Sequence, residues 1–164
     1  MEVAGNWRGE YSYDPIEGVP SIPAIAFSMS IERSWLGSFA GVAIDDLGQG
    51  LPNHALIQGR TNRKIVRFRK TPEAFLTLGP AGARPASQFL QEELGTNLER
   101  GYPPPHILYQ GQLDLAGERM SGTWVILPYR IILRAVRKAV EFHETTGTWW
   151  AARIPKEPPP EGVA

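Results

Sequence analysis

Apolar and polar residues alternate with a period of two along most of this chain, and this alternation constrains the fold more than any other sequence feature. Near the start, Trp7 and Tyr11 fall on one face while Arg8 and Glu10 fall on the other. Successive side chains of a strand point to opposite faces, so the pattern predicts a strand with one buried face. Eight segments are predicted as strands on this basis: residues 6–13, 25–32, 36–45, 54–61, 64–70, 106–115, 118–127 and 146–154.

Length and composition place these strands in one domain. A chain of 164 residues and 18.2 kDa matches the usual size of a single domain. Its hydrophobic content of 42% and charged content of 21% are ordinary for a globular protein. We therefore expect residues 1–154 to form one β domain, followed by a Pro-rich tail at residues 155–164 that has little to bury.

Two segments interrupt the strand pattern. Residues 71–105 contain six of the fifteen prolines, so a continuous strand is not expected there. Within this irregular excursion Leu90 and Leu94 are spaced four apart, Pro85 suits a first helical position and Gly95 suits the residue after a helix end. A short helix is predicted between Pro85 and Gly95.

The second interruption is residues 129–143. Its apolar residues fall at helical spacing, with basic residues on another face and Pro128 before the first turn. The spacing predicts an amphipathic helix over residues 129–143. The apolar positions are Ile132, Val136, Ala139, Val140 and His143.

A Gly-x-Trp unit occurs three times and links the two ends of the chain. The units are Gly5-Asn6-Trp7, Gly122-Thr123-Trp124 and Gly147-Thr148-Trp149. Residues two apart in a strand face the same side, so each unit puts a large ring beside a gap where another chain can approach closely. If the first strand pairs with the last, the three units lie on neighbouring strands around a closure seam. The sequence thus predicts a mainly β fold, a closed antiparallel up-and-down β-barrel of about eight strands with one or two short helices in the connections.

This pattern resembles the calycin-type β-barrels, the lipocalin and avidin group, whose opening strand carries a Gly-x-Trp. The resemblance extends to Phe39-x-Gly41 followed by Asp45-Asp46-x-Gly48, to Tyr109-x-Gly111 and to the Trp-bearing closing strands. It covers most of the chain outside residues 71–105. It implies the architecture and a possible cavity, and no particular ligand.

The inward-facing aromatic residues are the candidate ligand-binding residues. They could line a pocket in the barrel mouth, or they could fill the barrel, since small barrels either are packed with side chains or hold one small ligand. The leading hypothesis is a non-catalytic binding protein that holds a small, mainly apolar or aromatic ligand. The residues assigned to this pocket are Trp7, Tyr11, Phe27, Phe39, Tyr109 and Trp124.

Catalytic, metal and cofactor sites are not expected from this sequence. Asp45 and Asp46 are adjacent on a strand, point to opposite faces and cannot act together on one substrate. The three histidines lack a short metal-binding spacing, and His143 fits a partly buried position. No cysteine is present, and neither a nucleophile elbow nor a phosphate-binding glycine loop is found. We expect neither catalytic residues nor metal ligands nor a cofactor, and we expect that the protein is not an enzyme.

Two further hypotheses concern partners. In one, the protein is an interaction module that docks through the 71–105 excursion or the Pro-rich tail. In the other, a basic surface binds phosphate groups or nucleic acid. Ten basic residues lie in two segments: Arg60, Arg63, Lys64, Arg67, Arg69, Lys70, Arg130, Arg134, Arg137 and Lys138.

Nucleic acid binding is the less expected of these functions, because the formal net charge is zero and Phe68 is the only aromatic residue within the basic segments. No apolar stretch approaches the roughly 18 residues that cross a membrane, and the start of the chain lacks the pattern of a secretory signal. We expect no membrane association and a cytoplasmic location. The oligomeric state is left open.

Overall fold

The computed structural model describes residues 2–33, 36–46, 52–73, 76–79, 82–85, 90–92, 95 and 105–155. These residues contain twelve strands, one 3-10 turn at Arg134–Val136 and a helical segment at residues 90–92. The strands are β1 Gly5–Tyr13, β2 Ile25–Arg33, β3 Ser38–Asp46, β4 Pro52–Asn62, β5 Ile65–Pro72, β6 Leu76–Gly79, β7 Gly82–Pro85, β8 Ile107–Leu113, β9 Arg119–Ile126, β10 Tyr129–Leu133, β11 Lys138–Phe142 and β12 Thr145–Arg153.

Eight of these strands close into one antiparallel barrel in the order β1-β12-β9-β8-β5-β4-β3-β2. Each barrel strand pairs with the barrel strands before and after it in the chain, and β1 pairs with β12 to complete the ring. The predicted closed up-and-down barrel of eight strands is therefore confirmed. Burial alternates along the barrel strands, as in β5 and β8, so that one face of each strand lies in the core.

The predicted helix over residues 129–143 is wrong, because the structure contains the antiparallel hairpin β10–β11 there. Ile131 and Leu133 are buried while Arg130 and Ile132 are exposed, which is the alternation of a strand. After β10 the chain makes a 3-10 turn and reverses at Arg137, whose φ of 51° is left-handed. The β-branched residues of this segment favour extended backbone.

The excursion of residues 71–105 contains a second small hairpin, β6–β7. Pro85 is the last residue of β7, opposite Leu76, and does not begin a helix as predicted. Residues 90–92 are helical, and the Gly95 N–H donates to the Gln91 carbonyl at 3.1 Å with a left-handed φ of 63°. This agrees with a helix that ends before Gly95. The other residues of the predicted helix, 86–89 and 93–94, and residues 156–164 of the tail lie outside the described part of the chain.

The three Gly-x-Trp units lie on β1, β12 and β9, which are neighbours in the barrel, as predicted. Gly147 of β12 is directly opposite Trp124 of β9, and Trp149 is directly opposite Gly122. A Cβ atom added to Gly147 would come within 2.6 Å of the Trp124 ring. The Trp124 ring therefore uses the space that Gly147 leaves on the next strand, and the Trp149 ring uses the space at Gly111, where an added Cβ atom would come within 2.7 Å of it.

The two ends of the barrel differ in their connections. The turn end, as we name it, carries the short connections at residues 34–37, 63–64 and 114–118. The loop end carries the connections at residues 14–24, 47–51, 73–106 and 127–144, which include both small hairpins. A second apolar cluster joins Leu90 of the excursion to Ile131 and Leu133 of β10. The two longest connections are thus packed against each other.

Arg153 and Trp7 close the turn end. The Arg153 guanidinium lies 4.4 Å from the centroid of the Trp7 ring. It donates to the carbonyls of Glu2 and Ala4, each at 2.7 Å, and to that of Gly117 at 3.0 Å. The Trp7 indole N–H donates to the Val3 carbonyl at 2.8 Å. The Arg153 side chain on the last strand, β12, therefore holds the chain segment that precedes the first strand, β1.

We predict that Trp7→Ala lowers the free energy of unfolding by about 3–5 kcal/mol, because the ring is fully buried and its removal leaves a cavity. Trp150→Ala is the matched control: its ring is 38% exposed on β12, and its loss should cost less than about 1 kcal/mol. Urea titrations of the two variants measure both values. Equal losses would contradict the account of the seam.

Candidate functional site

The six predicted pocket residues are all buried, with exposed fractions between 0% and 7%. The structure brings three of them together near the loop end, where the Tyr11 ring lies 6.2 Å from Phe27 and 6.0 Å from Trp124 between centroids. Tyr109 stacks on Phe68 at 4.6 Å. Trp7 and Phe39 are elsewhere, on the parts of β1 and β3 nearest the turn end. The rings pack against one another across the barrel interior.

A charged pair lies inside this apolar barrel. Lys70 of β5 and Asp45 of β3 are 3% and 2% exposed, although Lys and Asp are almost never buried unless paired. The Lys70 ammonium donates to the two carboxylate oxygens of Asp45 at 2.5 and 2.6 Å. Strand β4 separates the two residues, and its inward Ala55 is small enough for the lysine to reach across.

Sequence reasoning missed this pair, although the signal was present. The alternation of β5 places Lys70 on the same face as Val66 and Phe68, and that of β3 places Asp45 with Ala43. The sequence analysis places Lys70 on a basic surface and gives Asp45 no partner, because both residue types are usually exposed. The structure puts Lys70 inside, so it is not part of that surface.

Tyr11 completes the polar cluster. Its hydroxyl donates to Asp45 Oδ2 at 3.4 Å, and the Lys70 nitrogen lies 5.0 Å from the centroid of its ring. Tyr13 follows on the same face of β1, and its ring packs edge-on against Trp124 at 4.9 Å. The cluster of Tyr11, Asp45 and Lys70 therefore lies near the loop end, beneath the long connections.

Burial shifts the ionisation of these groups. Desolvation lowers the pKa of Lys70, and the Asp45 carboxylate opposes this shift. Desolvation raises the pKa of Tyr11 and Tyr109, and the negative charge of Asp45 adds to both shifts. Burial, together with that carboxylate, raises the pKa of Tyr13 to about 12. The tyrosines therefore stay protonated and can act as hydrogen-bond donors.

The charged pair has no net charge as a whole, and it can still offer a polar contact to a bound molecule. An ammonium carries three N–H donors, and both hydrogen bonds that Lys70 makes to described residues go to Asp45. One N–H is left for another acceptor. Burying two charges costs several kcal/mol per ion, so such a pair is weak evidence for a role in stability alone.

A small pocket of about 220 Å³ adjoins the cluster on the β1–β2 connection. Tyr13 forms one wall, and the apolar side chains of Ile16, Val19 and Ile22 form others. Because Tyr13 also contacts Tyr11 at 5.9 Å between ring centroids, the pocket is one ring away from the polar cluster. The remaining residues lining it are Asp14, Pro15, Pro20 and Ser21.

A larger groove of about 1120 Å³ lies on the outer face of the barrel, across β3, β4, β5, β8 and β9. Arg60, Arg67 and Arg69 of the predicted basic segment lie along it. In the second basic segment, Arg130 of the β10–β11 hairpin faces Glu141 at 3.7 Å. Only the first segment therefore contributes to this groove.

Within the described ranges, no group of three or more His, Asp or Glu side chains is arranged to hold a metal ion. The described helical residues also include no helix that is long and apolar enough to cross a membrane. Neither a scan against protein-family models nor a search of curated proteins finds a match to this chain.

We predict that the fold loses stability as the pH rises from 10 to 12, and that Tyr13→Phe reduces this loss. The unfolded tyrosine ionises near pH 10.0 and the folded one near 12, so the folded state binds more protons between these values. The contribution of Tyr13 is complete below pH 10 and is lost as the pH rises, at about 1.4 kcal/mol per pH unit.

Urea titrations of the wild type and of Tyr13→Phe at several pH values measure this slope. Identical slopes for the wild type and Tyr13→Phe would contradict the placement of Tyr13 in the buried site.

Proposed function

We propose that this protein is a non-catalytic binding protein that takes up a small, mainly apolar ligand at the loop end of its barrel. In this it would resemble the calycin-type barrels, whose closed architecture it shares. The observation that carries the proposal is the buried cluster of Lys70, Asp45 and Tyr11 in an otherwise apolar interior, beneath the long connections.

The packing of the interior determines where the ligand would lie. Phe68, Tyr109 and Trp149 contact one another across the middle of the barrel, with ring centroids 4.6–5.6 Å apart. A ligand would therefore lie above this ring layer, toward the loop end. Ile107 and Ile126, at the loop-end limits of β8 and β9 and partly buried against the core, would form part of its apolar wall.

The polar cluster defines the chemistry of the ligand. Asp45 neutralises Lys70, so neither an anionic nor a cationic head group gains from the pair as a whole. The third N–H of Lys70 suits a neutral acceptor such as a carbonyl or ether oxygen. The favoured ligand has an apolar or aromatic body and one neutral acceptor, or no polar group at all.

Binding without catalysis fits the residues of this site. The carboxylate of Asp45 is occupied by Lys70 and Tyr11, and a general base must reach the proton that it removes. The tyrosine pKa values are raised, so the phenols stay protonated, are weak acids and supply no phenolate to act as a base near neutral pH. The cluster can hold and orient a molecule better than it can move a proton.

We predict that the neutral fluorophore N-phenyl-1-naphthylamine binds saturably, with fluorescence enhancement and a Kd in about the micromolar range. Ile107→Trp should weaken this binding by about tenfold or more, because Ile107 faces inward opposite Lys70 and a larger ring would fill the loop end. Ile65→Trp is the matched control, since Ile65 is 42% exposed on the outer face of β5.

A second probe tests the charge argument. The anionic analogue 1-anilinonaphthalene-8-sulfonate should bind more weakly than the neutral probe, because the Lys70 charge is already compensated. The proposal is wrong if neither probe binds, or if Ile107→Trp and Ile65→Trp have the same effect.

A further inference from the structure

The outer groove carries an excess of positive charge. Its described lining includes three arginines, Arg60, Arg67 and Arg69, and no Asp or Glu residue. The whole chain has equal numbers of basic and acidic residues, so this excess is local.

Neutral amides hold two of these arginines in place. Arg67 Nε donates to the side-chain oxygen of Gln110 at 3.1 Å, and Arg69 Nη2 donates to that of Gln58 at 2.7 Å. Each glutamine is directly opposite its arginine on the neighbouring strand. An amide oxygen orients a guanidinium group but does not neutralise it. Both arginines are therefore positioned while most of their donors and their full charge stay available.

The third arginine adds to the uncompensated charge. Arg60 of β4 is directly opposite Arg67 of β5, and both side chains are exposed. Like charges that face each other across two strands are destabilising. Among the described residues, none of the three arginines forms an ion pair. A carboxylate bound between Arg60 and Arg67 would remove this repulsion.

The groove also has an apolar part. Ile65 and Leu108 are 42% and 39% exposed, and Val125 of β9 is directly opposite Leu108. The aromatic residues along the groove, Phe39, Phe68 and Tyr109, belong to the buried core. No ring along the described lining is exposed for base stacking, which nucleic acid binding without sequence preference ordinarily uses. Exposed arginine beside exposed aliphatic side chains fits a peptide that carries both carboxylates and apolar side chains.

We propose that the outer groove is a docking site for an acidic peptide segment of a partner protein. Arg60, Arg67 and Arg69 bind carboxylate side chains of that segment, and the neighbouring Leu108 and Val125 contact an apolar side chain of it. An arginine fork matches a carboxylate in two parallel hydrogen bonds, which gives the geometry its specificity. The site is independent of the ligand site at the loop end, because the two occupy opposite faces of the same strands.

The test uses the whole chain and a short fluorescein-labelled peptide in which Glu and Leu alternate. Fluorescence anisotropy should show saturable binding that weakens with added salt, since exposed charges are screened. The same peptide with Gln in place of Glu should bind at least about tenfold more weakly. An oligothymidylate of equal length serves as the nucleic acid probe.

Two triple variants distinguish binding at this groove from nonspecific attraction to exposed basic residues. The triple variant Arg60→Gln, Arg67→Gln and Arg69→Gln should weaken peptide binding by about tenfold or more. The control triple variant Arg8→Gln, Arg130→Gln and Lys138→Gln removes three exposed positive charges elsewhere and should leave the affinity unchanged. Thermal melts confirm that both proteins are folded.

Loss of affinity in the first variant alone, together with weak oligonucleotide binding, supports the proposal. Three results would overturn it: no binding of the acidic peptide to the wild type, equal losses in both triple variants, or tighter binding of the oligothymidylate than of the peptide. The salt dependence of the wild-type affinity is a second readout that requires no variant, and its absence would also count against the site.

Discussion

The pairing of β1 with β12 is the constraint on which the other features depend, because it turns an eight-stranded sheet into a closed surface with an inside. The seam closes where a tryptophan uses the space left by a glycine on the next strand, as Trp124 does beside Gly147. Arg153 then ties the last strand to the residues before the first. Without closure, the inward side chains would have no common core, and two strand edges would be open to other chains.

Because the barrel is closed, the charged pair in its interior is unusual. A charged pair on an open sheet would be ordinary, whereas Lys70 and Asp45 are separated from water by rings and aliphatic side chains. Their mutual attraction offsets a large desolvation cost, and apolar residues of similar size often give equal or greater stability. The proposed ligand contact would give this pair near the loop end a role that folding does not require.

The alternation of residues was sufficient to predict the barrel strands to within about two residues, because burial of one face dictates a period of two. The error at residues 129–143 has a physical cause. Two apolar patterns occur in this segment: Ile132, Val136 and Val140 are spaced by four, as on one face of a helix, whereas Ile131 and Leu133 are spaced by two and form the buried face of β10. Periodicity alone cannot separate the two, and the reversal at Arg137 decided for a hairpin.

The contacts of the candidate site were harder to predict from the sequence than the fold. Strand parity places Lys70 and Asp45 inside, but their contact spans β4 and depends on the curvature of the closed barrel. The outer groove raises the same difficulty, since the match of Arg67 with Gln110 joins residues 43 positions apart. Both features require the register of strands that are distant in sequence, which a single sequence does not specify.

The central claim is that the Lys70–Asp45 pair serves binding and is not needed for stability. A double-mutant cycle of the two residues, measured by urea unfolding together with titration of the neutral fluorophore, tests it most directly. Lys70→Met alone should lose about 3–5 kcal/mol, because it leaves a buried carboxylate without its partner. The double variant Asp45→Leu and Lys70→Met should be about as stable as the wild type, and its Kd for the fluorophore should differ from that of the wild type. A double variant that is as unstable as the single one, with unchanged fluorophore affinity, would contradict the account.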